Sequence, residues 1–166
     1  MQDAEKEKSV CQDILIGAGF DSRAYRLTGG RWIELDEPQI VSYNNERLPI
    51  ERCKNKLQRI SIDFETESLA ATLQQFATHQ PVLVIVEGVF IYLPENVIKQ
   101  TLQTLYGLFP EHKLVCELMT EKFYKKYSYT LHQNFGELGA GFKFTSQQPA
   151  TVFFDAMLHA VKFSVF

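Results

Sequence analysis

The stretch Asp13-Ile14-Leu15-Ile16-Gly17-Ala18-Gly19 decides how this chain is read. A short apolar run that stops at paired glycines is a buried strand entering a tight turn. Residues 21–27 follow as a short helix, broken by Gly29-Gly30. Trp32-Ile33-Glu34-Leu35-Asp36 reads as a second strand, and Glu37-Pro38 opens a helix expected to run to about Cys53. Pro38 suits a first helical turn, where its missing N–H costs nothing.

The pattern repeats. Leu57 to Ile62 is a third strand, and Thr66-Glu67-Ser68-Leu69 starts a helix to about Thr78. Val82-Leu83-Val84-Ile85-Val86 is the clearest buried strand, apolar on both faces. Pro94-Glu95-Asn96 starts another helix, with Val97, Ile98, Thr101, Leu102, Leu105 and Leu108 at helical spacing, and Lys113 to Leu118 is a fifth strand. Short apolar strands alternating with helices predict an α/β fold with a doubly wound, mostly parallel sheet. Such sheets bind ligands beyond the carboxyl ends of their strands, where strand order reverses.

Composition narrows the class. The chain has 166 residues, 17 Lys+Arg against 20 Asp+Glu, a formal charge of −3, 45 % apolar and 22 % charged residues. That length suits a single domain over residues 1–166, and the apolar content is too high for a disordered chain. The mixed, slightly acidic charge argues against a nucleic-acid or membrane-surface partner. The longest apolar stretch, Pro81 to Leu93, contains Glu87 and falls short of the roughly 20 residues of a membrane span. The start, Met1-Gln2-Asp3-Ala4-Glu5-Lys6, lacks the apolar run of a signal peptide. Cys11, Cys53 and Cys116 are odd in number and widely spaced, so reduced thiols and a cytoplasmic location are expected. His79, His112, His132 and His159 do not fall at metal-ligand spacing, and no metal site is expected.

The residues after each strand carry the chemistry. Gly17, Ala18 and Gly19 form a turn that lets a ligand approach the backbone, although a plain strand-to-helix turn would look the same. A dinucleotide fingerprint asks for a third small residue three places on; here Ser22 stands there beside Asp21. A carboxylate at a helix start competes with phosphate for the same positive end, which disfavours a pyrophosphate ligand. Asp36 lies 19 residues after Gly17, the placement of an acid that binds a ribose diol, with Glu34 as the fallback on the same face. The alternative for Asp36 is a loop aspartate or a cap for the Pro38 helix. Asp63 and Phe64 could meet an adenine, the aspartate at its amine and the Phe as an apolar wall, or could be a helix entry and a core side chain. Glu87 and Gly88 end the most buried strand, and Glu87 could accept from an amino group or be a satisfied carboxylate near a helix start. An adenine site, a ribose site, no phosphate cradle and an extra carboxylate describe S-adenosyl-L-methionine better than NAD.

These segments also resemble a known family. The stretch from Asp13 to Leu27, with Gly17-Ala18-Gly19-Phe20-Asp21-Ser22-Arg23, resembles the first motif of the leucine carboxyl methyltransferase family, which includes many bacterial S-adenosylmethionine-dependent O-methyltransferases. Trp32 to Pro38 resembles its second motif, Ile62-Asp63-Phe64 its third, and Val86-Glu87-Gly88-Val89-Phe90-Ile91-Tyr92-Leu93-Pro94 its fourth. The resemblance spans about residues 12–118 and implies a Rossmann-like, class I methyltransferase fold. It implies that Gly17 and Gly19 line the cofactor turn, Asp36 binds ribose, Asp63 and Phe64 contact adenine, and Glu87 approaches the methionine end. It also implies truncation at both ends. Members of full length carry a helical region before the first strand, whose basic residues pair with the cofactor carboxylate. About ten residues precede that strand here, and Lys6 and Lys8 are poor substitutes. Arg23 could contribute, although the resemblance assigns it no such role. Lys162 to Phe166 reads as a sixth strand, leaving no residues for the seventh that completes the fold.

The expected reaction is methyl transfer to a carboxylate or hydroxyl of a small-molecule or peptide acceptor. A carboxylate, with a pKa of about 4, needs no general base, whereas a hydroxyl does. No histidine ends a strand, so no catalytic base is assigned. Tyr92 could face the acceptor or pack between strand and helix. Residues 119–166, with Tyr124, Tyr127, Tyr129, Phe135, Phe142 and Phe144, could form an acceptor-side lid or irregular packing. Two alternatives stand beside this reading: an inactive binding module that keeps the fold, and an NAD-linked oxidoreductase.

Overall fold

Five parallel strands pair in the order β3-β2-β1-β4-β5, which puts the earliest strand at the centre. They are β1 (Gln12–Ile16), β2 (Arg31–Asp36), β3 (Lys56–Ser61), β4 (Val82–Val86) and β5 (His112–Cys116). The computed structural model describes residues 11–64, 66–117, 120–122, 124–126 and 151. The chain winds outward from β1 through β2 to β3, then returns to β4 on the other side of β1 and continues to β5. The switch point therefore lies between the carboxyl ends of β1 and β4, which pair in register from Gln12↔Val82 to Leu15↔Ile85.

Burial explains the strand sequences. All five residues of β1 are buried, as expected of a central strand covered on both faces. The edge strands β3 and β5 instead alternate between exposed and part-buried positions, with Val115 exposed. On one face, Ile14, Ile16, Ile33, Leu35, Val84 and Val86 pack with Leu73 and Phe76 and with Ile98, Leu102 and Leu105 of α4 (Glu95–Leu108). The last three follow helical spacing, and each buried side chain of this kind contributes about 1.5–3 kcal/mol. On the other face, Leu15, Trp32 and Ile85 meet Ala24 of α1 (Arg23–Arg26).

Two helices are shorter than the sequence suggests. α2 (Pro38–Arg47) stops before Cys53 because Pro49 bars its preceding residue from helical geometry; Leu48 sits at φ −126°, ψ 72°. A single 3-10 turn, Ile50–Arg52, follows. α3 (Leu69–Leu73) starts at Ser68 rather than Thr66, because the Asp63 carbonyl takes the N–H groups of Thr66 and Glu67 into a turn. Ser68 Oγ then accepts the Ala71 N–H, an N-cap. α3 ends in a 3-10 turn at Gln74–Phe76. The expected strand at residues 162–166 lies outside the described residues, as does nearly all of the expected lid. Among the described residues, no helix is long and apolar enough to cross a membrane.

Candidate functional site at the switch point

The β1 turn is built for close approach. Gly17 and Gly19 adopt φ of +69° and +53°, a region that favours glycine. A Cβ on Gly17 would stand 2.1 Å from Val89 Cγ2, so the turn after β1 touches the segment after β4. The Gly17 and Ala18 N–H groups both donate to the Leu35 carbonyl, at 2.9 and 3.1 Å.

Asp36 is joined to this turn. Its Oδ2 accepts the Gly19 N–H at 2.5 Å and its Oδ1 accepts the Glu37 N–H at 2.7 Å. A carboxylate has about four acceptor directions, so each oxygen keeps one for a ligand hydroxyl. Asn44 on α2, 4 % exposed, donates from Nδ2 to the Gly19 carbonyl at 2.6 Å and holds the turn from its other side.

Glu34 does not share the site. It is buried, and its Oε2 accepts from Arg59 Nε at 2.7 Å. Arg59 also donates to the Leu48 carbonyl and to the Tyr25 hydroxyl. Burial is the chief cause that raises the Glu34 carboxyl above its ordinary value, and Arg59 opposes it. The fallback ribose ligand is thus a structural ion pair beneath α1 and α2.

A cavity of about 190 Å³ opens between the ends of β1 and β4, walled by Leu15, Gly17, Ala18, Gly19, Asp21, Arg23, Ile85 and Glu87. Arg23 crosses it. Its backbone N–H and Nε donate to the two oxygens of Asp21 at 2.6 and 2.5 Å, and Nη2 pairs with both Asp21 and Glu87. The hydrogen bond to Asp21 is the main cause that raises the guanidinium pKa, so it stays charged.

The remaining expected residues, Asp63, Phe64 and Gly88, are not among the walls of this cavity, and neither is Asp36. Asp63 Oδ1 accepts the Thr66 N–H at 3.3 Å, and Glu67 Oε2 accepts the Asp63 N–H at 2.8 Å, two bonds that shape the turn after β3. The Phe64 N–H points to Glu37 Oε1 at 3.4 Å, next to Asp36. Phe64 also lines a separate cleft of about 330 Å³ between the α3 entry and α4, with Leu69, Leu93 and Val97. The Gly88 N–H donates to Glu117, which follows β5. Burial first, and the nearby Glu87 charge after it, raise the Glu117 carboxyl above its ordinary value, against the lowering from Gly88.

Sequence reasoning thus missed Asn44, Glu37 and Glu117. Glu117 ends its strand as Glu87 does, so the same strand-end logic would have found it. Asn44 carries no such signal, because a polar residue on a helix declares its burial only after packing. Among the described residues, no three of His, Cys, Asp or Glu gather as a metal-binding group.

Comparison with known proteins gives this geometry a context. The sequence pattern of the family described as leucine carboxyl methyltransferase matches residues 1–106. A protein of Frankia alni, provisionally named an S-adenosyl-L-methionine-dependent methyltransferase, is 34 % identical over 107 residues, 60 % of this chain and 37 % of the relative. A similarly named protein of Mycobacteroides abscessus is 33 % identical over 116 residues, 65 % of this chain and 38 % of the relative. The chain therefore spans well under two thirds of the length of the curated relatives it matches. Among solved structures, magnesium protoporphyrin IX methyltransferase from Synechocystis, with bound S-adenosylhomocysteine, superposes at a TM-score of 0.57 and 14 % identity, covering 89 % of this chain and 64 % of that one. Human N-acetylserotonin methyltransferase in complex with S-adenosylmethionine gives 0.58 and 13 %, covering 89 % and 41 %. At such identities these likenesses concern the fold.

Proposed function

The chain belongs to the leucine carboxyl methyltransferase family, and from that premise we propose that it binds S-adenosyl-L-methionine at the β1/β4 switch point and methylates an oxygen of a carboxylate or hydroxyl acceptor. Its fold is the Rossmann-like, class I methyltransferase type. We read residues 1–166 as one cofactor-binding domain of cytoplasmic location, and the free thiols Cys11, Cys53 and Cys116 support that location.

The observation that carries the proposal is the tie between Asp36 and Gly19. It places a carboxylate with spare acceptor directions against a glycine turn, which suits a ribose diol. In the same reading Gly17, Ala18 and Gly19 face the cofactor, Asp63 and Phe64 flank its adenine, and Glu87 and Gly88 stand at its methionyl end. Bound there, the cofactor supplies an electrophilic methyl group on a sulfonium. The chain's own residues hold and orient the reactants, and alignment of this kind is the main lever in a displacement that needs no acid. A carboxylate acceptor arrives ionised and asks for no base.

Asp21 favours this reading over a dinucleotide. Its carboxylate accepts the Arg23 N–H at the start of α1, the place a pyrophosphate would take. A binding module without turnover is the second reading. Calorimetric titration of the protein, shown folded by circular dichroism, with S-adenosylhomocysteine tests the proposal. Micromolar binding supports it, and absence of binding by folded protein overturns it. Methyl transfer to a carboxylate panel by the same protein then separates enzyme from binding module.

A further inference from the structure

The cavity between β1 and β4 has one cationic side chain among its described walls, and that side chain spends itself on two carboxylates. The two are unequal. Asp21 is 9 % exposed and binds Arg23 through its backbone N–H and its guanidinium, so it anchors the side chain. Glu87 is 52 % exposed and meets Arg23 through Nη2 alone. An exposed ion pair of this kind is worth little in water and exchanges readily. Nη1 of Arg23 makes no hydrogen bond among the described residues.

Resting on the cofactor reading above, we propose that Arg23 is the residue that binds the methionyl carboxylate of S-adenosylmethionine, by exchanging its Glu87 contact for the ligand. Asp21 keeps the guanidinium in the cavity wall. The planar fork then offers Nη1 and Nη2 to the incoming carboxylate, an arrangement a guanidinium favours over a point charge. Glu87, released, is the acceptor for the ligand's α-ammonium. The exchange replaces one ion pair by two and leaves no charge unmatched. It also matches the overall electrostatics, because two carboxylates around one guanidinium leave a negative excess and the sulfonium ligand carries a net positive charge. The inference gives this chain a carboxylate partner within residues 11–117, at a position for which the family resemblance assigns no such role.

The test compares S-adenosylmethionine with its decarboxylated analogue by calorimetry on the full chain. The wild type is expected to favour the carboxylated ligand roughly tenfold, the scale of a charge-assisted, bidentate contact. Arg23→Gln is expected to lose that preference for the carboxylated ligand. A preference that survives in Arg23→Gln, or is missing in the wild type, overturns the role of Arg23. If Arg23→Gln does not fold, Arg23→Lys carries the test: a reduced preference supports the assignment, and a preference equal to the wild type overturns it. Failure of the wild type to bind either ligand overturns the cofactor reading itself, and this inference with it.

Discussion

The Gly19 N–H donates to Asp36 Oδ2 at 2.5 Å, so the acid that ends β2 holds the glycine turn that ends β1. The two residues lie 17 apart in the chain and are brought together by parallel pairing of β1 with β2, in register from Gln12↔Arg31 to Ile16↔Leu35. One carboxylate therefore shapes the turn, and in the proposed reading it also faces the ligand.

Asp36→Ala is expected to weaken S-adenosylhomocysteine binding by about 1–3 kcal/mol, the scale of lost hydrogen bonds to a charged group. Titration calorimetry reads the change directly. A dissociation constant equal to the wild type's would remove Asp36 from the site.

Gly17 and Gly19 separate two costs. Both need a left-handed backbone, which costs a residue bearing a Cβ about 1–2 kcal/mol. A Cβ at Gly19 meets nothing within 4 Å, so Gly19→Ala should lose only that amount. A Cβ at Gly17 would also drive into Val89 Cγ2. Gly17→Ala should therefore lose about 2–4 kcal/mol, with an overpacking penalty added to the backbone one. Urea unfolding of both variants checks the order, and equal losses would mean that Val89 gives way freely.

Arg59 neutralises a carboxylate that is cut off from water. Glu34 and Arg59 have side chains 2 % and 1 % exposed, and Glu34 Oε1 has no hydrogen-bond partner among the described residues. Arg59→Met should destabilise the fold by about 3–5 kcal/mol near neutral pH, because it strands a buried charge. The loss depends on pH. The Glu34 pKa already lies above its ordinary 4.5 through burial, and removing Arg59 removes what lowers it. A carboxyl raised on folding contributes stability that is present below its unfolded pKa and lost as pH rises through the folded one. The Arg59→Met penalty should thus be smaller at pH 5 than at pH 8, and a penalty equal at both would show that Glu34 does not carry the charge.

The alternation of apolar runs with helical spacing was enough to read β1 to β5, the helix starting near Pro94 and the carboxylates that end the strands. Local physics explains this legibility: a strand covered on both faces must be apolar throughout, and Gly17-Ala18-Gly19 permits a turn that few other sequences would. Glu34 and Asp36 show the limit. They sit on the same face of one strand two residues apart, and nothing local tells them apart. Arg59, from the next strand, claims Glu34, while the glycine turn after β1 claims Asp36.

By itself, then, the sequence determined the strands, their parallel winding and the acids at their carboxyl ends, because burial and turn geometry act over a few neighbouring residues. Tertiary structure alone decided that Arg23 spans Asp21 and Glu87, that Asn44 and Asp36 grip Gly19 from two sides, and that Glu117 receives Gly88. Those contacts join residues from separate strands and helices. Their partners were set by the order in which the sheet was wound, a property that no local stretch of the chain encodes.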